Sequence, residues 1–133
     1  MLTKGRVAAA LPAKDIGRAR AFYEKLGFKP ARELDDKSAV FECAGGTGFL
    51  VFPSHGQASG THTQINFDVP DFEAEVKDLK SRGVTFEEYD LPGFKTRDGI
   101  AEVGGIKGAW FKDTEGNLIS VGQEVKVTVG KSA

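Results

Sequence analysis

The chain has 133 residues, of which 40% are hydrophobic and 28% charged, and its formal net charge is −1. Such a composition is typical of one globular domain and excludes a disordered chain. It has no basic patch interleaved with aromatic residues and no apolar run long enough to span a bilayer, so we expect neither a nucleic-acid nor a membrane partner. A single cysteine, Cys43, cannot form an internal disulfide, which favours a reducing, cytoplasmic location.

The chain contains an internal repeat. The segment VAAALPAKDIGRARAFYEKLGF (7–28) aligns without gaps on TQINFDVPDFEAEVKDLKSRGV (63–84), with Asp15 on Asp71 and Gly27 on Gly83. Each copy reads as a strand, an N-capping Asp, an amphipathic helix and a glycine at the helix end.

Three strand patterns follow each predicted helix, so each half of the chain is predicted to be a βαβββ module. Their approximate ranges are 28–34, 38–44 and 48–54 in the first half, and 84–90, 105–113 and 117–123 in the second. The last two are joined by Glu-Gly-Asn, which predicts a hairpin turn.

The second module carries an insertion, residues 91–105, that is rich in glycine and charge. It predicts a surface loop with a short strand at 99–103, and a mobile lid is the alternative. The tail segment EVKVTV (124–129) is predicted as an added strand.

The first strand of the second module has one apolar and one polar face. Ile65, Phe67 and Val69 alternate with His62, Gln64 and Asn66. Because the apolar row is the natural partner of the helix, we expect the polar row on the open side of the sheet.

These features resemble the vicinal oxygen chelate superfamily, which includes glyoxalase I, extradiol dioxygenases and bleomycin-resistance proteins. The residues that carry the resemblance are Asp15, Phe22-Tyr23, Leu26-Gly27-Phe28 and the DTEGN turn at 113–117. It implies an α+β fold in which two tandem βαβββ modules form a curved mixed sheet around a cleft, with the helices outside. It also makes a homodimer the expected assembly.

The resemblance also implies an organisation for the whole chain. We expect a single glyoxalase-like domain over 1–133, with module one at about 5–54 and a linker at 55–61. Module two is expected at about 62–123, and the tail at 124–133.

In metal-dependent relatives the ligands come from the first and last strands of each module. The matching positions here are Ala8, Gln64, Ser120 and the strand at 48–54, and of these Gln64 alone has a ligand-type side chain. Since a divalent cation needs three or four donors, we predict no metal and no other cofactor. The alternative is zinc, nickel, manganese or iron held by shifted ligands: His62, Gln64 and a carboxylate from Glu42 or Glu102.

Without a metal, the cleft between the modules is expected to bind a small molecule, with an aromatic one favoured. Trp110, the sole tryptophan, is predicted either to stack on this molecule or to lie in a core or dimer interface. Either Phe49 or Phe52 should face the cleft, and we name Phe49. The predicted ligand-binding residues are His62, Gln64, Asn66, Ser120, Trp110, Phe49 and Ala8. Three functions stay open: a metal-free binding protein, a metal-dependent lyase or dioxygenase, and a protein-interaction module.

Overall fold

The computed structural model describes residues 1–4 and 7–124. The strand predicted at 124–129 lies outside the described residues, apart from Glu124. Over the described part of the chain, no helix is long and apolar enough to cross a membrane.

The first module is a four-stranded mixed sheet with one helix. Strand β1 is parallel to β4, and the other pairs are antiparallel, in the order β1-β4-β3-β2. The elements are β1 (Ala9–Ala13), α1 (Ile16–Lys25), β2 (Pro30–Glu33), β3 (Ala39–Glu42) and β4 (Gly48–Pro53).

The second module repeats this plan with two additional short strands. Its four-stranded sheet has the order β5-β10-β9-β8, and β6 pairs with β7 in a separate hairpin. The elements are β5 (Thr63–Val69), α2 (Phe72–Ser81), β6 (Asp90–Leu91), β7 (Phe94–Lys95), β8 (Ile100–Val103), β9 (Ile106–Lys112) and β10 (Leu118–Gln123). The predicted α+β class with two tandem modules is confirmed.

Both helices begin and end as the sequence predicts. Asp15 Oδ1 accepts a hydrogen bond from Arg18 N at 3.0 Å, and Asp71 Oδ1 accepts one from Ala74 N at 3.2 Å. Gly27 and Gly83 have φ values of 102° and 92°, the left-handed conformation that ends a helix without strain only at glycine. The repeat therefore determines the helix boundaries in both modules.

The continuous strand predicted at 84–90 is wrong. Val84 and Phe86 are buried alternately, which produces the strand-like pattern, but only a single bridge forms, between Phe86 and Phe111. Phe86 meets β9 at an edge that is mostly paired with β8, the strand predicted in the insertion. In that pairing Ile100 lies opposite Ala109 and Val103 lies opposite Ile106. A segment that finds its partner edge largely occupied cannot extend its ladder.

The chain divides into two compact units. Unit one comprises Met1–Ile65 and Lys112–Leu118, and unit two comprises Asn66–Phe111 and Ile119–Ala133. The core of unit one is aromatic: the Tyr23 ring lies 5.2 Å from Phe49 and 5.8 Å from Phe41. The core of unit two contains Val76 and Leu79 from α2.

Unit one includes the DTEGN turn, which is held by a buried polar network around Asp113. One carboxylate oxygen accepts from the backbone N–H groups of Glu115 (2.8 Å) and Asn117 (2.9 Å). The other accepts from the Tyr23 hydroxyl (2.6 Å) and the Asn117 amide (2.8 Å). Burial, together with the charge of Asp113, raises the pKa of Tyr23, so the phenol stays a donor.

Glu115 connects the same turn to the start of α1. Its carboxylate accepts hydrogen bonds from Asp15 N (3.0 Å) and from Arg18 Nε (2.7 Å). Burial by itself raises the pKa of this carboxyl, but the hydrogen bonds from Arg18, Asp15 and Thr114 and the guanidinium charge outweigh it. The pKa of Glu115 is thereby lowered to about 2. The network ties residues about one hundred positions apart and stabilises the turn.

Candidate functional site

The open face of the unit-two sheet carries a group of polar side chains. The salt bridge between Lys107 and Glu73 of α2 (2.6 Å) shows that the face of β9 shared by Lys107 and Ala109 lies towards the helix. Because side chains alternate along a strand, Gly108 and Trp110 lie on the opposite, open face. Ser120 of β10 shares that face with Asn66 and Asp68 of β5, as their hydrogen bonds show.

Three of these side chains form a continuous chain of hydrogen bonds. Ser120 Oγ donates to Asn66 Oδ1 at 2.6 Å, and Asn66 Nδ2 donates to Asp68 Oδ1 at 2.8 Å. Ser120 is 8% exposed, whereas Asn66 and Asp68 are exposed. The chain thus leads from a buried hydroxyl to an accessible carboxylate.

An aromatic cluster borders the same face. The ring of Trp110 lies 5.2 Å from Phe94 at an interplanar angle of 81° and 6.1 Å from Tyr89 at 84°. All three rings are half-buried. Burial, with a smaller contribution from the charge of Glu87, raises the pKa of Tyr89, so its hydroxyl stays protonated at neutral pH.

Trp110, Phe94 and the three polar side chains line one depression of about 530 Å³. Two glycines shape its floor: a Cβ at Gly108 would lie 3.3 Å from the Trp110 indole, and one at Gly122 would lie 3.3 Å from Asp68 Oδ1. Ala101 and Val103 of β8 add apolar surface. A concave, mainly apolar surface with a few convergent polar groups is typical of a small-molecule site.

The structure brings together three of the predicted residues: Asn66, Ser120 and Trp110 all line this depression. His62 and Gln64 do not. His62 precedes β5, is exposed, and has its Nδ1 3.3 Å from Ser59 Oγ. Gln64 is half-buried, and its Oε1 atom is buried without a hydrogen-bond partner among the described residues.

Ala8 and Phe49 belong to unit one, where they border an open depression of about 520 Å³. Ala8 is exposed there. Phe49, however, is 1% exposed and packs on Tyr23 and Phe28, both at 5.2 Å. The choice of Phe49 as the open-face ring therefore needs correction: Phe52, three residues later, has the opposite parity and is half-buried.

The positions that hold metal in the family do not supply a suitable donor set here. Ala8 has no donor, Gln64 offers one neutral amide oxygen, and the Ser120 hydroxyl donates its proton to Asn66. Within residues 1–4 and 7–124, no group of three or more His, Cys, Asp or Glu side chains could hold a metal ion. These residues do not fit a divalent cation, which needs three or four converging N, O or S donors.

Sequence reasoning missed Asp68, Tyr89 and Phe94. A signal existed for Asp68, because it continues the period-two row of Gln64 and Asn66 on the same strand. No comparable signal existed for Phe94, since it lies in the insertion and reaches Trp110 only through the β6–β7 hairpin.

Comparison with known proteins identifies the family. The profile of the Glyoxalase/Bleomycin resistance protein/Dioxygenase superfamily matches residues 5–121, and the chain belongs to this superfamily. No curated protein matches the chain by sequence.

Solved structures share the fold at low sequence identity. A bleomycin resistance determinant encoded on the transposon Tn5 is 20% identical with a TM-score of 0.70, over 92% of this chain and 100% of that one. A bleomycin-binding protein complexed with bleomycin has the same identity and coverage and a TM-score of 0.68. The fosfomycin resistance protein FosX from Listeria monocytogenes is 19% identical with a TM-score of 0.67, over 92% and 94% of the two chains.

Proposed function

We propose that the protein binds a small, planar molecule on the open face of unit two and does so without a metal. The observation that carries this proposal is the depression in which Trp110 and Phe94 stand beside the Ser120–Asn66–Asp68 chain. Rings supply stacking area, and the polar chain orients the bound molecule. Binding of this kind requires no acid, base or nucleophile.

The binding test is a calorimetric titration with metal-free bleomycin, which a structural relative binds, and with 2-naphthylmethanol, a neutral planar molecule. Since the indole supplies a large share of the apolar contact, we expect Trp110→Ala to weaken binding roughly tenfold. Leu2→Ala is the matched control, because Leu2 is 96% exposed and lies outside the depression. Equal affinity in the Trp110 variant and the parent would refute the proposed site.

The alternative function is a metal-dependent lyase or dioxygenase that uses shifted ligands. The observation in its favour is the buried, unpartnered Oε1 of Gln64, an atom that a cation could satisfy. Native mass spectrometry after incubation with nickel, zinc, manganese or iron(II), followed by removal of free metal, separates the two functions. Stoichiometric retention that disappears in Gln64→Ala would overturn the metal-free proposal, and lyase and dioxygenase assays of the metal-loaded protein would then test the alternative.

We further propose that the protein is a homodimer. Membership of the superfamily supports this, because the family resemblance implies a homodimer. Val7 is 97% exposed and lies outside the depression of unit two, so a partner chain could cover it without blocking that depression. The same native mass spectra report the oligomeric state, and a monomer at micromolar concentration would contradict the proposal.

The proposed location is the cytoplasm. It is supported by a single cysteine, Cys43, which is half-buried and unpaired and so needs no oxidising compartment.

A further inference from the structure

The polar chain on the open face of unit two has a fixed direction, and this direction selects among ligands. A carboxylate without its proton only accepts hydrogen bonds, so the Asn66 atom at 2.8 Å from Asp68 must be the amide nitrogen. The amide oxygen of Asn66 then faces Ser120, whose hydroxyl must donate its one proton to it, at 2.6 Å.

The remaining capacity of the chain is mainly that of an acceptor. With its proton committed, Ser120 Oγ can only accept, and Asp68 has a second carboxylate oxygen that accepts. Asn66 keeps one further N–H donor. A ligand that contacts the Ser120–Asn66–Asp68 chain must therefore bring hydrogen-bond donors of its own.

The charge of the depression points the same way. Among the described residues that line it, Asp68 and Lys107 are charged. Lys107 is paired with Glu73 at 2.6 Å on the helix side, whereas Asp68 forms no ion pair within the described part of the chain. The carboxylate of Asp68 is thus the charge available to a ligand, and it attracts a cation.

The floor of the depression keeps this carboxylate accessible. Gly122 faces Asp68 and Asn66, and a Cβ there would lie 3.3 and 3.5 Å from their oxygen atoms. On β9, the strand next to that of Gly122, the half-buried indole of Trp110 lies over Gly108. Ring and carboxylate therefore border one concave surface.

We propose that the ligand of this site is a planar aromatic molecule that carries a protonated amino group. The ring stacks within the Trp110–Phe94 cluster, and the ammonium donates a hydrogen bond to the accessible carboxylate of Asp68. This inference rests on the proposed function and adds the chemical class of the ligand to it.

The test compares three probes that share one ring system, titrated by calorimetry at pH 7. They are 2-naphthylmethylamine, 2-naphthylmethanol and 2-naphthaleneacetate, the carboxylate of 2-naphthaleneacetic acid. We expect the amine to bind about five- to tenfold more tightly than the alcohol, because a charge-assisted hydrogen bond replaces a neutral one. The acetate should bind more weakly than either, since it meets acceptors and a like charge. Raising the ionic strength should weaken the binding of the amine alone.

Two variants complete the test. Asp68→Asn keeps the shape of the side chain and should abolish the preference for the amine while leaving the alcohol within about twofold. Asp35→Asn, an exposed aspartate between β2 and β3, is the matched control and should leave the preference intact.

The outcomes distinguish the two proposals. Equal affinity for amine and alcohol, both weakened by Trp110→Ala, would overturn the inference and keep the proposed function. A preference for the amine that persists in Asp68→Asn would also overturn the inference. Failure of all three probes and of bleomycin to bind would overturn both.

Discussion

At the scale of single residues, Glu115 shows how a polar side chain becomes part of the core. Its side chain is 1% exposed although the residue is charged, because Arg18 and Asp15 N occupy its oxygen atoms. Burying a carboxylate is unfavourable unless such partners are present. The fixed carboxylate then stabilises the folded state in a pH-dependent manner.

We predict that Glu115→Gln lowers the free energy of unfolding at pH 7 by about 1 to 2 kcal/mol, a modest value because the Arg18 partner is half-exposed. The pKa of Glu115 is depressed in the folded state, from an ordinary 4.5 to about 2. The stabilisation is therefore fully present above about pH 4.5 and is lost as the pH falls towards 2.

Urea denaturation at several pH values measures this effect. The difference between parent and Glu115→Gln should shrink below pH 4.5, whereas the exposed Glu42→Gln control should show no comparable difference at any pH. A Glu115 difference that stays constant down to pH 2.5 would argue against the ion pair as its source.

The residue scale also shows what a single strand pattern can predict. The capping roles of Asp15 and Asp71 follow from local chemistry, and both are confirmed. The polar parity of Asn66 is equally local, and the structure places it beside Ser120. The pairing with Ser120 itself could be expected only from the family resemblance, since the two residues lie 54 positions apart.

At the scale of elements, the second module differs from the first in how its edge is built. Two segments share the edge of β9: β8 pairs with its first part, and Phe86 pairs with Phe111 at its end. The β6–β7 hairpin lies between these segments in sequence and carries Phe94 onto Trp110. The insertion, predicted as a surface loop with a short strand or as a lid, supplies that strand as β8, and through Phe94 it also supplies one wall of the candidate site.

Gly99 directly precedes β8 and lies against Phe86. We predict that Gly99→Ala lowers the free energy of unfolding by about 2 to 3 kcal/mol. The residue has a φ of +82°, and a Cβ there would lie 2.6 Å from the Phe86 Cβ. Both backbone strain and a collision with a core ring contribute to the effect.

The matched control is Gly93→Ala, since Gly93 has a φ of +76° but no atom lies within 4 Å of the position that a Cβ would occupy there. Gly93→Ala should lower the free energy of unfolding by about 1 kcal/mol, because backbone strain is then the sole cost. Thermal denaturation of both variants measures the difference. Equal losses would mean that the contact with Phe86 relaxes freely and that the edge is not tightly packed.

At the scale of the whole molecule, three strands cross between the two units. The divisions fall at 65/66 in β5, at 111/112 in β9 and at 118/119 in β10. Because β5, β9 and β10 each contribute residues to both units, we expect the two units to unfold together.

We predict a single unfolding transition. Asn117→Ala removes two hydrogen bonds of the turn in unit one, to Asp113 and to the Pro12 carbonyl. It should lower the urea midpoint by the same amount for Trp110 fluorescence, which reports on unit two, and for far-ultraviolet circular dichroism. Separate midpoints for the two signals would show that the units unfold independently.

The sequence by itself determined the module repeat, the two helices with their caps, and the parity of the polar strand. These features depend on contacts within a few residues or on a regular period, so the local pattern contains them. It also determined family membership, through motifs that lie within single elements.

Only the tertiary structure decided which side chains meet. It placed Phe49 in the core instead of on the open face, gave the edge of β9 to β8, and joined Asp68, Phe94 and Trp110 around one depression. Each of these outcomes depends on strand register and on pairing between segments far apart in the chain. Local periodicity does not contain that information, because a shift of one residue exchanges the two faces of a strand.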